Sequence, residues 1–120
     1  YTTLFRSRRG GSNTYCGSLI QFPDERIRSA RNIRELQGLF PSRYMKVNLQ
    51  AYSRHRTVEF RQHSGTISFT KIENWVCFLD RMITFASVGS LPAGIRLEDF
   101  PFLGEKQKLY YKLRTKKLAV

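Results

Sequence analysis

Residues 43–61 constrain the fold most, because two stretches there alternate apolar and polar side chains with a period of two. In 43–52, Met45, Val47, Leu49 and Ala51 point one way and Tyr44, Lys46, Asn48, Gln50 and Tyr52 the other. In 57–61, Val58 and Phe60 share one face while Thr57, Glu59 and Arg61 share the opposite one. The polar linker Ser53-Arg54-His55 is short enough to join the two as an antiparallel hairpin. If the apolar faces bury together, Lys46, Asn48 and Gln50 lie on the same side as Glu59 and Arg61. One face is then core and the other is dense in functional groups.

Helical periodicity flanks this hairpin. Ile27, Ala30, Ile33, Leu36 and Phe40 recur at steps of three and four, which predicts one helix from Pro23 to Pro41 with Arg26, Arg28, Arg31 and Arg34 on its solvated side. Thr70 and Glu73 have the spacing of a capping box. The helix it opens carries Ile72, Trp75, Val76, Leu79, Ile83 and Ala86 on its expected core face, and Gly89 can end it. On this reading Trp75 and Cys77 are core residues. Pro92-Ala93-Gly94 is a turn, 95–103 is irregular, and 104–117 forms a terminal helix rich in lysine. The fold class is α+β, an antiparallel hairpin or sheet packed against helices.

A chain of 120 residues with 41% apolar content makes one domain, or the C-terminal portion of one. Its expected parts are a basic arm at 1–12, a core at 13–103 and a basic tail or helix at 104–120. No apolar run reaches the roughly 18–20 residues needed to span a bilayer, so a soluble protein with no membrane partner is expected. Cys16 and Cys77 form no CxxC pair, which supports neither a zinc site nor a disulfide framework and makes a reducing, cytoplasmic setting the default. The chain opens on Tyr1 rather than Met, and further sequence upstream is expected. The 21 basic and 9 acidic residues give +12, a charge that favours polyanionic partners such as nucleic acid.

Chemistry concentrates on the second strand. Glu59 and Arg61, two residues apart, project in parallel. A carboxylate there can hold Mg²⁺, and a guanidinium can stabilise a transferred phosphoryl group or grip a carboxylate bidentately. His63 can meet phosphate or carry a proton, and Gly65 permits a tight turn. A bare Glu-x-Arg is more often an ordinary cross-strand salt bridge. The sequence holds no His-x-x-x-His, no Gly-x-x-x-x-Gly-Lys and no nucleophile elbow. A nuclease built on Glu59 with His55 or His63 lacks a second carboxylate.

A longer string resembles a known family. Arg43-Tyr44, then Val47-Asn48-Leu49, then Thr57-Val-Glu-Phe-Arg-Gln-His-Ser-Gly-Thr66, then Lys71-Ile72 with Trp75, is similar to the amidoligases. These belong to the glutamine synthetase-like carboxylate–amine ligase superfamily. Asn13-Thr-Tyr-Cys16 resembles the stretch that precedes the hairpin in such proteins, and the likeness extends over about residues 13–88. The resemblance implies a partial glutamine synthetase-like catalytic fold that uses ATP and Mg²⁺. It assigns Glu59 to the metal, Arg61 to the reacting phosphate or substrate, and Asn48 and His63 to the catalytic pocket, with Arg56 and Gln62 beside the nucleotide. The implied reaction joins a carboxylate and an amine, on small molecules or peptides, through an acyl phosphate. Family members also carry an N-terminal Gly-x-Glu strand with further carboxylates, and this sequence shows none. An N-terminal half or a partner chain is therefore expected to supply the opposite wall.

Two functions follow as alternatives. One is an ATP-dependent amide- or peptide-bond ligase. The other is a catalytically inactive, basic amidoligase-like protein acting as a structural or nucleic-acid-binding part of a larger assembly. Its basis is the run Arg6–Arg9, the arginines at 26–34 and the lysines at 106–117, with Tyr110 and Tyr111 available to stack on bases.

Overall fold

The computed structural model describes residues 16, 17, 19, 23–63, 65–92 and 94–119. The basic arm at 1–12 and the segment Asn13–Tyr15 lie outside the described residues. Among those described are five α-helices and a two-stranded antiparallel sheet, an α+β architecture. They group into two compact units, one ending before residue 65 and one beginning there.

The first unit starts with two helices where the periodicity predicts one: α1 (Asp24–Ser29) and α2 (Ile33–Leu39). The break has a local cause. Asn32 accepts the Glu35 N–H at 3.0 Å while Glu35 Oε2 accepts the Arg31 N–H at 2.8 Å. This reciprocal capping satisfies donors that a continuous helix would have used internally.

The alternating stretch also divides. Only Val47–Asn48 (β1) and Glu59–Phe60 (β2) form the paired strands. Between them, Ala51–His55 is a helix, α3, rather than strand and linker. Asn48 Oδ1 accepts the Gln50 N–H at 3.0 Å and turns the chain into it. Arg56 ends it with φ +59°, its N–H bonded to Tyr52 O at 2.9 Å. Gln50, expected on the polar strand face, instead donates Nε2 to Gln37 O and Phe40 O at 3.0 and 2.8 Å, tying α3 to α2.

Nor does the hairpin have one core face and one open face. Met45 and Leu49 are buried, but so are Lys46 and Asn48 from the other side, while Val58 is exposed. Residues 16–17 help cover the strand: Gly17 N–H donates to Tyr44 O at 2.6 Å and Lys46 N–H to Gly17 O at 2.9 Å. A Cβ on Gly17 would stand 3.1 Å from Met45 Sδ, so glycine permits this approach.

The second unit contains α4 (Phe69–Ala86), a 3₁₀ turn at Leu97–Asp99 and α5 (Glu105–Ala119). The terminal helix matches expectation, as does the turn at Gly94, where φ is +73°. The capping box does not form: α4 begins at Phe69 after Ser68, with no side-chain cap, and Thr70 O accepts instead from Asn74 Nδ2 at 2.8 Å. The buried face also differs. Ile72, Val76 and Ile83 are exposed, and Phe78 is the buried residue of the helix. Its ring meets Trp75 stacked at 6.0 Å, Phe102 edge-on at 5.8 Å and Tyr111 edge-on at 5.5 Å. The apolar arc of α4 runs from Ile72, Val76 and Ile83 through half-buried Leu79 and Trp75 to Phe78, and its aromatic end buries more area per residue and gains ring–ring contacts. Tyr111, 2% exposed, closes this core by donating its hydroxyl to Asn74 O at 2.7 Å.

Candidate functional site

The ladder pairs Val47 with Phe60 and Asn48 with Glu59. Directly opposed residues project from the same face of a sheet, so the register brings the Asn48 amide to the Glu59 carboxylate. Asn48 Nδ2 donates to Glu59 Oε2 at 2.8 Å, and Arg61 donates to Glu59 Oε1 at 3.0 Å. The Arg61 N–H bonds to Lys46 O at 2.8 Å, continuing the pairing past the last strand residue and fixing where its side chain starts. Asn48 is buried, the Arg61 side chain is 18% exposed, and that of Glu59 is 47% exposed. The result is a fixed row of amide, carboxylate and guanidinium, open to solvent at the carboxylate.

Aromatic and thiol groups support the row. The Arg61 guanidinium carbon lies 5.8 Å from the centre of the Tyr44 ring. Arg43 approaches the same ring at 4.9 Å and donates to its hydroxyl at 2.9 Å. Cys16 Sγ is 3.6 Å from Arg61 O. Neither the alternation nor the family resemblance assigns a site role to Tyr44 or Cys16. For Tyr44 the signal was there, since it alternates with Lys46 and Asn48; for Cys16 no local pattern marks the contact.

Of the six residues assigned by resemblance, three meet: Asn48, Glu59 and Arg61. Gln62 is buried and His63 half-buried immediately after them. Arg56 is exposed at the end of α3, its guanidinium 5.3 Å from the Tyr52 ring centre.

Magnesium prefers an octahedron of oxygen ligands, commonly one or two carboxylates with phosphates and water. Glu59 is the carboxylate of this row, and both its oxygens are engaged, one by a cation. Among the described residues no three His, Cys, Asp or Glu side chains cluster closely enough to hold a metal ion. The residues present therefore do not fit a resident Mg²⁺ site. They do fit an anion: a mostly buried guanidinium, aligned by a carboxylate and a tyrosine ring, is preset for carboxylate or phosphoryl oxygens.

A family model described as "Putative amidoligase enzyme" matches residues 8–83, more than half of the chain. The chain belongs to the amidoligase family. The matched span contains the whole Asn48–Glu59–Arg61 row and nearly all of α4, so the amidoligase assignment covers the candidate site. No curated protein and no solved structure matches this amidoligase.

Proposed function

We propose that this amidoligase joins a carboxylate to an amine with ATP as co-substrate, and that β1–β2 is one wall of a glutamine synthetase-like catalytic fold. The observation that carries the reading is the hydrogen-bonded row Asn48–Glu59–Arg61 inside the family-matched span. In the first step a carboxylate oxygen attacks the γ-phosphorus, the O–P bond forms and ADP leaves. In the second, the amine nitrogen attacks the acyl carbon, phosphate leaves, and the nitrogen gives up a proton. Arg61 holds the anionic oxygens in both steps. Glu59 aligns Arg61, and Asn48 aligns Glu59. His63 accepts the amine proton, while Gln62 and Arg56 bound the nucleotide side of the pocket.

The test is hydroxamate formation by the full chain with ATP, hydroxylamine and a panel of amino-acid carboxylates. Hydroxylamine intercepts an acyl phosphate directly. Removing a charge-stabilising donor costs about 10²–10³ in rate, so Arg61→Ala should lose the product by that factor. Undiminished product with Arg61→Ala would overturn the assignment.

A second reading rests on α1 and α2. Arg26, Arg28, Arg31 and Arg34 are all exposed, and among the described residues none of them forms an ion pair. As a scaffold, the protein would bind nucleic acid through these arginines, with affinity falling steeply as salt rises. Salt-insensitive or absent binding would remove this reading.

A further inference from the structure

Two guanidiniums gather on one ring. The Arg43 guanidinium carbon lies 4.9 Å from the centre of the Tyr44 ring and that of Arg61 lies 5.8 Å from it, so the two carbons are no further apart than those distances laid end to end. Arg43 also donates to the Tyr44 hydroxyl at 2.9 Å. An aromatic ring attracts each cation, while the two cations repel each other.

The ring is held from its backbone. The Tyr44 N–H donates to Ser42 Oγ at 3.1 Å, and the Tyr44 carbonyl accepts the Gly17 N–H at 2.6 Å. Both guanidiniums are thus set against a fixed point of the first unit.

They differ in what neutralises them. The Arg61 side chain is 18% exposed and meets Glu59 at 3.0 Å. Arg43 is exposed, and among the described residues it forms no ion pair. A guanidinium is a planar fork that takes two oxygens of one anion. A carboxylate has two oxygens and one charge, so one fork satisfies it. A phosphodiester has two free oxygens and one charge, and again one fork is enough. A terminal phosphoryl group has three free oxygens and nearly two charges, so it has use for both forks.

We propose that Arg43 and Arg61 hold a terminal phosphoryl group between them, with Tyr44 as the positioning residue that sets their separation. The inference rests on the reading of Arg61 as the residue that holds the anionic oxygens. It adds Arg43 to the site and gives this wall to the transferred phosphoryl group rather than to the substrate carboxylate.

The experiment is ¹⁵N-resolved NMR of the full chain, titrated at about pH 8 with inorganic phosphate, dimethyl phosphate and acetate, where phosphate carries nearly two charges. Saturable shifts of the Tyr44 and Arg61 amides are expected with phosphate, and binding about tenfold weaker with each of the other two. Arg43→Ala should weaken phosphate about tenfold and leave acetate unchanged, which removes the preference. Arg54→Ala, at an exposed arginine of α3, should alter neither and controls for the loss of one charge. Tyr44→Phe retains the shared ring and should retain the preference, whereas Tyr44→Leu should lose it. A merely structural loss would lower both affinities alike. If Tyr44→Leu fails to fold, Arg43→Ala decides. Phosphate binding that survives Arg43→Ala but not Arg61→Ala overturns the two-arginine clamp and leaves the Arg61 reading standing. Binding that survives both substitutions removes the two together. No saturable shift with phosphate, or dimethyl phosphate bound as tightly as phosphate, also overturns the proposal.

Discussion

Asn48 and Glu59 face each other across the β1–β2 ladder, with the buried amide donating to the half-exposed carboxylate at 2.8 Å. Because Asn48 Oδ1 is already taken by the Gln50 N–H, only Nδ2 remains for Glu59. Replacing Asn48 by Asp keeps the acceptor that starts α3 but sets two carboxylates against each other. Asn48→Asp should cost about 1–3 kcal/mol. Adding Glu59→Gln restores a donor–acceptor pair with the roles reversed, and the double variant should recover most of the loss. Urea midpoints measure both. A double variant no more stable than Asn48→Asp would show that the pair does not form in solution.

Arg61 tests geometry against charge. Lysine retains the charge but lacks the planar fork that meets Glu59 and lies near the Tyr44 ring. In the hydroxamate assay Arg61→Lys should fall between wild type and Arg61→Ala, about tenfold below wild type, with an unchanged circular dichroism spectrum. Equal rates for Arg61→Lys and wild type would mean that only the charge matters at this position.

Arg56 is the non-glycine residue with positive φ among those described. A left-handed backbone costs an L-residue about 1–2 kcal/mol, and glycine removes that cost while adding chain entropy to the unfolded state. Its contact with the Tyr52 ring is exposed and offsets little. Arg56→Gly should therefore leave stability within about 1 kcal/mol of wild type, whereas β-branched Arg56→Val should lose about 1–2 kcal/mol. Equal loss in both variants would place the cost in the guanidinium rather than the backbone.

The physics of alternation explains what could be read ahead of the structure and what could not. Alternation puts Asn48, Glu59 and Arg61 on one face, and the observed register does the same, because a sheet's period of two survives even where the ladder is two residues long. Alternation could not tell that 51–55 would coil into α3. That turn depends on one side-chain hydrogen bond, Asn48 Oδ1 to Gln50 N–H, and on a left-handed Arg56 that nothing local demands. The division of α1 from α2 was legible in Asn32-x-x-Glu35, a capping pattern as good as the Thr70-x-x-Glu73 pair that does not cap. The buried part of α4 was ambiguous in the sequence, since its apolar arc is wide and reaches from Ile72 and Val76 past Trp75 to Phe78. Its partners Phe100, Phe102 and Tyr111 lie 22 to 33 residues beyond Phe78.

That ambiguity makes a direct comparison. Phe78→Ala removes a ring packed against Trp75, Phe102 and Tyr111 and should cost about 3–5 kcal/mol. Val76→Ser, two residues away on the exposed side, should stay within about 0.5 kcal/mol of wild type. Thermal melts of the two variants check the assignment, and a larger loss for Val76→Ser would reverse the buried face.

Tyr111 gives the same core a dependence on pH. Burial, with the neighbouring Tyr110 adding to it, pushes the Tyr111 phenol well above the usual tyrosine range, against a smaller opposing pull from Arg114. The folded state therefore holds this proton more tightly than the unfolded chain, where tyrosine titrates near about 10. Its contribution to stability is complete below about pH 10 and is lost as pH rises from there through the raised folded value, because the unfolded state gains by ionising first. Tyr111→Phe removes the hydrogen bond to Asn74 O and should cost about 0.5–1.5 kcal/mol at neutral pH. It also removes the titrating group, so the gap between the variant and wild type should narrow above about pH 10. Melting temperatures of both proteins at pH 7, 10 and 11 measure that gap. A gap of constant width would mean that Tyr111 ionises as readily in the folded protein as in the unfolded chain.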